Sequence, residues 1–175
     1  MVTITITAMM NHEQCGLSPL ALLRLQSWLS PAFPAGFYSY SHGLEWAVEA
    51  RDVCDRKSLV DWLESDLRHG SGRNEAIFFK EAWLYATKND PEGLVEISEL
   101  AAAFRGTSEF ALESSQPAAA CLAIFKKVWP DRTLDMLTEI LHERELPPAL
   151  AVVLGVRLAA EGIPEIGRAS CRERV

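Results

Sequence analysis

Apolar residues recur along most of this chain at intervals of three and four, the spacing of one helix face, and proline, glycine and capping residues mark where each run stops. Ser18-Pro19 supplies a cap and a first-turn proline for "LALLRLQSWLS", in which Leu22, Leu25 and Leu29 share a face before Ser30-Pro31 ends the run. Pro31, Pro34 and Gly36 then break the periodicity, and a short helix restarts around Ser41 with Leu44, Ala47 and Val48 on one side. A third helix opens at Asp55 or Ser58 and turns Leu59, Trp62, Leu63 and Leu67 inward until "HGSGRN". A fourth, "EAIFFKEAWLYATK", groups Ile77, Phe78, Ala82 and Tyr85.

Asn89-Asp90-Pro91 stops that helix and starts the next, "PEGLVEISELAAAF", with Leu94, Ile97, Ala101 and Phe104 in line. Gly106 ends it, and Thr107 or Ser108 caps a successor. Pro117 removes a donor and crowds the preceding turn, so "ESSQPAAACLAIFKKVWP" reads as two helices or as one kinked at Gln116-Pro117. After Pro130 come "TLDMLTEILHE", with Leu134, Leu137, Ile140 and Leu141, and "PALAVVLGVRLAAEG", running from Pro147-Pro148 to Gly162. The pattern therefore predicts an all-α, single-domain bundle of about seven or eight helices. "VTITIT" alternates as a strand does, but no second run exists to pair with it and a lone strand is unstable, so residues 1–17 are expected to form a mobile N-terminal segment.

Composition adds what the helices are for only by exclusion. With 175 residues, 49% of them hydrophobic, the chain buries a core without disulfides or metal. No run reaches the roughly 18 consecutive apolar residues of a membrane span, and the start lacks a charged region followed by an apolar one, so a soluble, unexported, cytoplasmic protein is expected. The formal net charge of −7 opposes attraction to nucleic acid and to anionic membrane. Cys15, Cys54, Cys121 and Cys171 are scattered, without a CxxC pair, and read as reduced thiols.

Candidate chemistry concentrates in "SPAFPAGFYSYSHGLEWAVEA", residues 30–50. Ser39, Ser41, His42 and Glu45 are the residue types of a hydrolase triad, but neighbours in sequence rarely place a base on a nucleophile, and GxSxG is missing; helix capping by Ser39 or Ser41 is the plainer reading. A small helical hydrolase built around Ser39, His42 and Glu45 stands as an alternative. His12, His42, His69 and His142 lack a second ligand at short regular spacing, His12 with Cys15 coming nearest. No GxxxxGK[ST] string occurs, and Gly70 and Gly72 of "HGSGRN" follow a helix instead of a strand, which makes them a loop between helices. Phe33, Phe37, Tyr38, Tyr40 and Trp46 divide between core and contact surface, and their chemistry suits either.

At "LLRLQSWLSPAFPAGFYSYSHGLEWAVEA" the chain resembles the urease accessory protein UreF family: an apolar helix, a proline-rich turn, then Gly-aromatic-Ser-x-Ser-x-Gly-Leu-Glu. The likeness continues through "RNEAIFFKEAW", "ELAAAFRGTSEFALES" and "ALAVVLGVRLAAEGIP", covering residues 18–164 as one UreF-like helical domain. It implies an all-α chaperone and scaffold with no enzymatic reaction of its own, acting in assembly of the urease nickel centre. The resemblance further implies a homodimer that binds the UreD/UreH-type accessory protein and recruits the GTPase UreG to apo-urease. Nickel and GTP are then handled by those partners, and this chain binds no cofactor; a direct nickel carrier is the remaining alternative.

Carried over onto matching positions, Gly36, Ser39, Ser41, Gly43 and Glu45 fall in the family motif, with Tyr38, Tyr40 and His42 as further partner-binding candidates. Glu45 is the first choice for a residue acting on the GTPase; facing solvent and favouring its own helix start are the alternatives. Phe37 stands where the family often has a second small residue, and Ser108, Ala111 and Gln116-Pro117 depart from the family pattern, which puts contacts there in doubt. Past Pro164 the family continues into further helices and a partner-binding tail. "IGRASCRERV" instead reads as a vector or frameshift scar over residues 165–175, leaving a C-terminally truncated bundle with uncovered apolar faces.

Overall fold

A computed structural model of the chain describes residues 17–36, 41 and 43–164. The N-terminal segment with "VTITIT" and the tail from residue 165 lie outside the described residues. Among those described there are eight helices and no strand: α1 Pro19–Trp28, α2 Leu44–Glu49, α3 Arg56–His69, α4 Ser71–Lys88, α5 Pro91–Ala103, α6 Ser108–Val128, α7 Arg132–Glu143 and α8 Leu150–Ala160.

Their starts follow from cap chemistry. The Ser18 hydroxyl accepts from the Ala21 N–H at 3.1 Å, with Pro19 at the first helical position. Asp55 and Ser58 form a reciprocal capping box on α3, and these bonds hold the Asp55 carboxyl below its usual range, the Ser58 backbone N–H contributing most. Asp90, Thr107 and Asp131 cap α5, α6 and α7 through their side chains. Asn89 closes α4 with φ 54°, so the Asn-Asp-Pro stop and restart works as the sequence suggested.

Helix α8 is the hub, packed along α4 and touching α5, α6 and α7. Its sequence is apolar nearly all round, as a helix surrounded by others requires, and Ala151, Val152, Val153, Val156 and Leu158 are all buried. Gly155 permits a close approach: a Cβ there would stand 2.5 Å from the Phe79 carbonyl oxygen and 3.1 Å from the Ala82 Cβ on α4. Leu94, Ile97 and Ala101 of α5 and Leu134, Leu137, Ile140 and Leu141 of α7 complete the core, as their spacing predicts. Helix α6 is one continuous element of 21 residues with Pro117 buried inside it, which settles the choice between one helix and two.

Other expected faces differ. In α1 the buried residues are Ala21 and Trp28, while Leu29 is exposed, because Trp28 offers the larger apolar surface and takes the inner position. In α2 Ala47 is buried and Val48 exposed. No residue of α3 is fully buried; Leu59 and Trp62 are half-buried, Leu63 and Leu67 exposed, since α3 packs chiefly on α4. Phe104 is also exposed, resting the edge of its ring on Phe78 at 5.6 Å.

Candidate partner-docking surface

The turn after α1 is built inward through its first half. The Phe33 N–H donates to the Ser30 carbonyl at 2.9 Å and the Ala35 N–H to the Phe33 carbonyl at 2.8 Å, which coils the Pro31–Pro34 stretch tightly. Phe33 packs on the Phe125 ring at 5.7 Å, and Ala35 is buried. Gly36 and Gly43 take φ 74° and 86°, a region in which a side chain is strained, so the two motif glycines bend the chain on either side of residues 37–42. Of that intervening stretch Ser41 is described; Phe37, Tyr38, Ser39, Tyr40 and His42 lie outside the described residues. Of the hydrolase trio Ser39, His42 and Glu45, only Glu45 is therefore placed.

Helix α2 begins three residues later than Ser41, with left-handed Gly43 as its N-cap and no side-chain cap bond. The Ser41 hydroxyl thus does not cap α2; its backbone carbonyl accepts from the Leu44 N–H at 3.1 Å. Glu45 lies in the first helical turn, where a carboxylate meets the positive end of the dipole, and it is also exposed, so both readings of this residue remain compatible with its position. Beside it Trp46 is 66% exposed while Ala47 faces inward. The aromatics of the motif therefore divide: Phe33 packs against the core, and Trp46 presents its ring to solvent.

Apolar periodicity leaves no place for a charged residue inside α8, yet one is there. Arg157, on the otherwise apolar α8, is 3% exposed. It pairs with Glu161, which also pairs with Arg24 of α1, and donates from Nη1 to the Trp129 carbonyl at 3.0 Å. Its guanidinium carbon lies 4.9 Å from the Trp28 ring centre and 5.9 Å from that of Phe125. Trp28 meets Phe125 and Trp129 edge-on at 5.4 and 5.7 Å. A lone arginine in "ALAVVLGVRLAAEG" with a glutamate four residues on was the available signal.

A groove of about 770 Å³ opens between the α3–α4 corner, the α5–α6 connection and the start of α8. Phe79, Phe104, Phe110 and Leu154 line it, and Arg105 pairs with Glu75 across it at 2.7 Å. Gly70 and Gly72 form the corner at its edge, where the Asp66 carboxylate accepts from the Ser71 hydroxyl at 3.1 Å and the Gly72 N–H at 3.3 Å. A Cβ at either glycine would collide with Asp66, which accounts for the pair without a phosphate. Among the described residues no three His, Cys, Asp or Glu side chains are grouped to hold a metal ion, and no helix is long and apolar enough to cross a membrane.

Among the described residues these features define an all-helical domain in which the turn after α1 rests, through Phe33, on an aromatic cluster beside the Arg24–Glu161–Arg157 ion pairs. The family model for UreF matches residues 53–167. The chain is 41% identical over 144 residues to the urease accessory protein UreF of Rhodopseudomonas palustris, covering 82% of this chain and 59% of that protein. It is 41% identical over 145 residues to that of Magnetococcus marinus, covering 83% and 62%, and 40% identical over 144 residues to that of Methylobacterium radiotolerans, covering 82% and 62%. The chain belongs to the UreF family. It spans about three fifths of the length of the curated relatives it matches.

Proposed function

We propose that this protein is a non-enzymatic accessory chaperone in maturation of the urease nickel centre, acting by docking. It bridges a UreD/UreH-type accessory protein and the GTPase UreG, works as a homodimer in the cytoplasm, and leaves nickel and GTP to its partners. Family membership supports the urease assignment. The observation that carries the docking reading is the exposed Trp46 beside exposed Glu45 on a helix whose opposite side is anchored by Ala47. A large aromatic held in solvent next to a carboxylate has the composition of a contact hot spot.

The partner-binding set is Gly36, Tyr38, Ser39, Tyr40, Ser41, His42, Gly43 and Glu45, joined by Trp46, with Gly36 and Gly43 shaping the backbone. Co-purification with a UreD-type partner, followed by addition of the GTPase, tests this directly. The intact chain is expected to hold both in one complex, and a folded chain that retains neither would sink the reading. Glu45→Ala is expected to keep the fold and the complex while uncoupling GTP hydrolysis from urease activation; loss of helicity by circular dichroism would assign Glu45 to the fold instead.

A further inference from the structure

We propose that the ion cluster of buried Arg157 with part-buried Glu161 and Arg24 is the positioning device of the turn at residues 29–36, holding it at one angle for a partner to read. The inference rests on the docking function proposed above. Helix α1 is only 10 residues long and cannot hold its own direction, so its aim comes from tertiary contacts. Those contacts lie on one face, where Ala21 and Leu25 also pack on the core. Arg24 reaches Glu161, and one turn further on Trp28 is fully buried against Phe125, Trp129 and the Arg157 guanidinium.

The chain leaves α1 directly after Trp28 and enters the turn, where Phe33 returns to the same Phe125 ring. The start and the middle of the turn therefore stand on one platform, and Arg157 lies over that platform, tied to Glu161 and to the Trp129 carbonyl. As a source of stability the arrangement is poor. Trp28 Nε1 and Arg157 Nε are buried without a hydrogen-bond partner, a state that costs free energy, and apolar side chains of similar volume commonly replace a buried ion network without loss. What charge pairing adds is direction: a carboxylate between two guanidiniums accepts few geometries, whereas apolar surfaces slide. The end of α8 is thereby locked to the helix that delivers the motif.

Arg24→Gln is the discriminating variant, because Arg24 is the most exposed member and its removal leaves Glu161 paired with Arg157, with no buried charge orphaned. Hydrogen exchange read by mass spectrometry on the whole chain is expected to show residues 29–36 exchanging about fivefold faster or more, with α4 and α8 unchanged. Arg24→Lys is expected to restore the native rates, and capture of the accessory-protein partner is expected to weaken in Arg24→Gln alone. Unchanged exchange in the turn overturns the proposal. So does an equal rise in α4 and α8, which would make the cluster a brace of the whole bundle, and so does a loosened turn with undiminished capture. A native chain that captures no partner refutes the docking function, and the exchange rates then decide by themselves whether the cluster positions the turn.

Discussion

Cys54 and Cys121 show how placement separates identical side chains. Cys54 sits exposed beside the α3 cap; Cys121 is buried in α6, where desolvation pushes its thiol up to about 12. Only the thiolate reacts, so at pH 8 a native sample treated with iodoacetamide is expected to label Cys54 and leave Cys121 unmodified until denaturant is added, as peptide mass spectrometry would show. Labelling of Cys121 at the rate of Cys54 would mean that α6 opens readily. The same contrast governs the motif. Ala47 and Trp46 are neighbours in sequence and opposites in environment, one within the fold and one available to a partner.

At the scale of elements, α4 and α8 form the most extensive contact of the bundle, and Gly155 lets them approach closely. Gly155→Ala would drive a methyl group into the Phe79 carbonyl, and because backbone cannot swing aside, overpacking of about 2 kcal/mol is expected. Thermal unfolding followed by circular dichroism should show a clearly lowered midpoint; an unchanged one would contradict the packing. Helix positions were legible because their caps and breakers act locally: Ser18-Pro19, Asp55 with Ser58, Asn89-Asp90-Pro91 and Thr107 all do what their chemistry dictates. Which apolar face turns inward was less legible. Periodicity identifies the stripe Leu59, Trp62, Leu63 and Leu67 on α3 but not whether a neighbour covers it, and the neighbour, α4, spends its own core residues on α8. The cluster around Arg157 was missed for the same reason: Trp28, under its guanidinium, and Arg24, which shares Glu161 with it, are over a hundred residues away in sequence, so no local pattern joins them.

For the whole molecule, the core around α8 is continuous from α1 to the end of α8, while apolar side chains stay exposed on α1, α2 and α3, Leu23, Trp46 and Leu67 among them. The net charge of −7 opposes attraction to polyanions. Of the candidate site, the backbone was legible in part, since Gly36 and Gly43 take the left-handed conformation that turn glycines serve and Glu45 lies in the first turn of the short helix after them. Its support was not, because that support is assembled from α6 and α8. Restoration of urease activity in cells lacking their own UreF is the most direct measurement of the account. The chain is expected to restore activity and Trp46→Ala to abolish most of it at equal soluble level; no restoration by a folded, soluble chain, or full activity from Trp46→Ala, would contradict it.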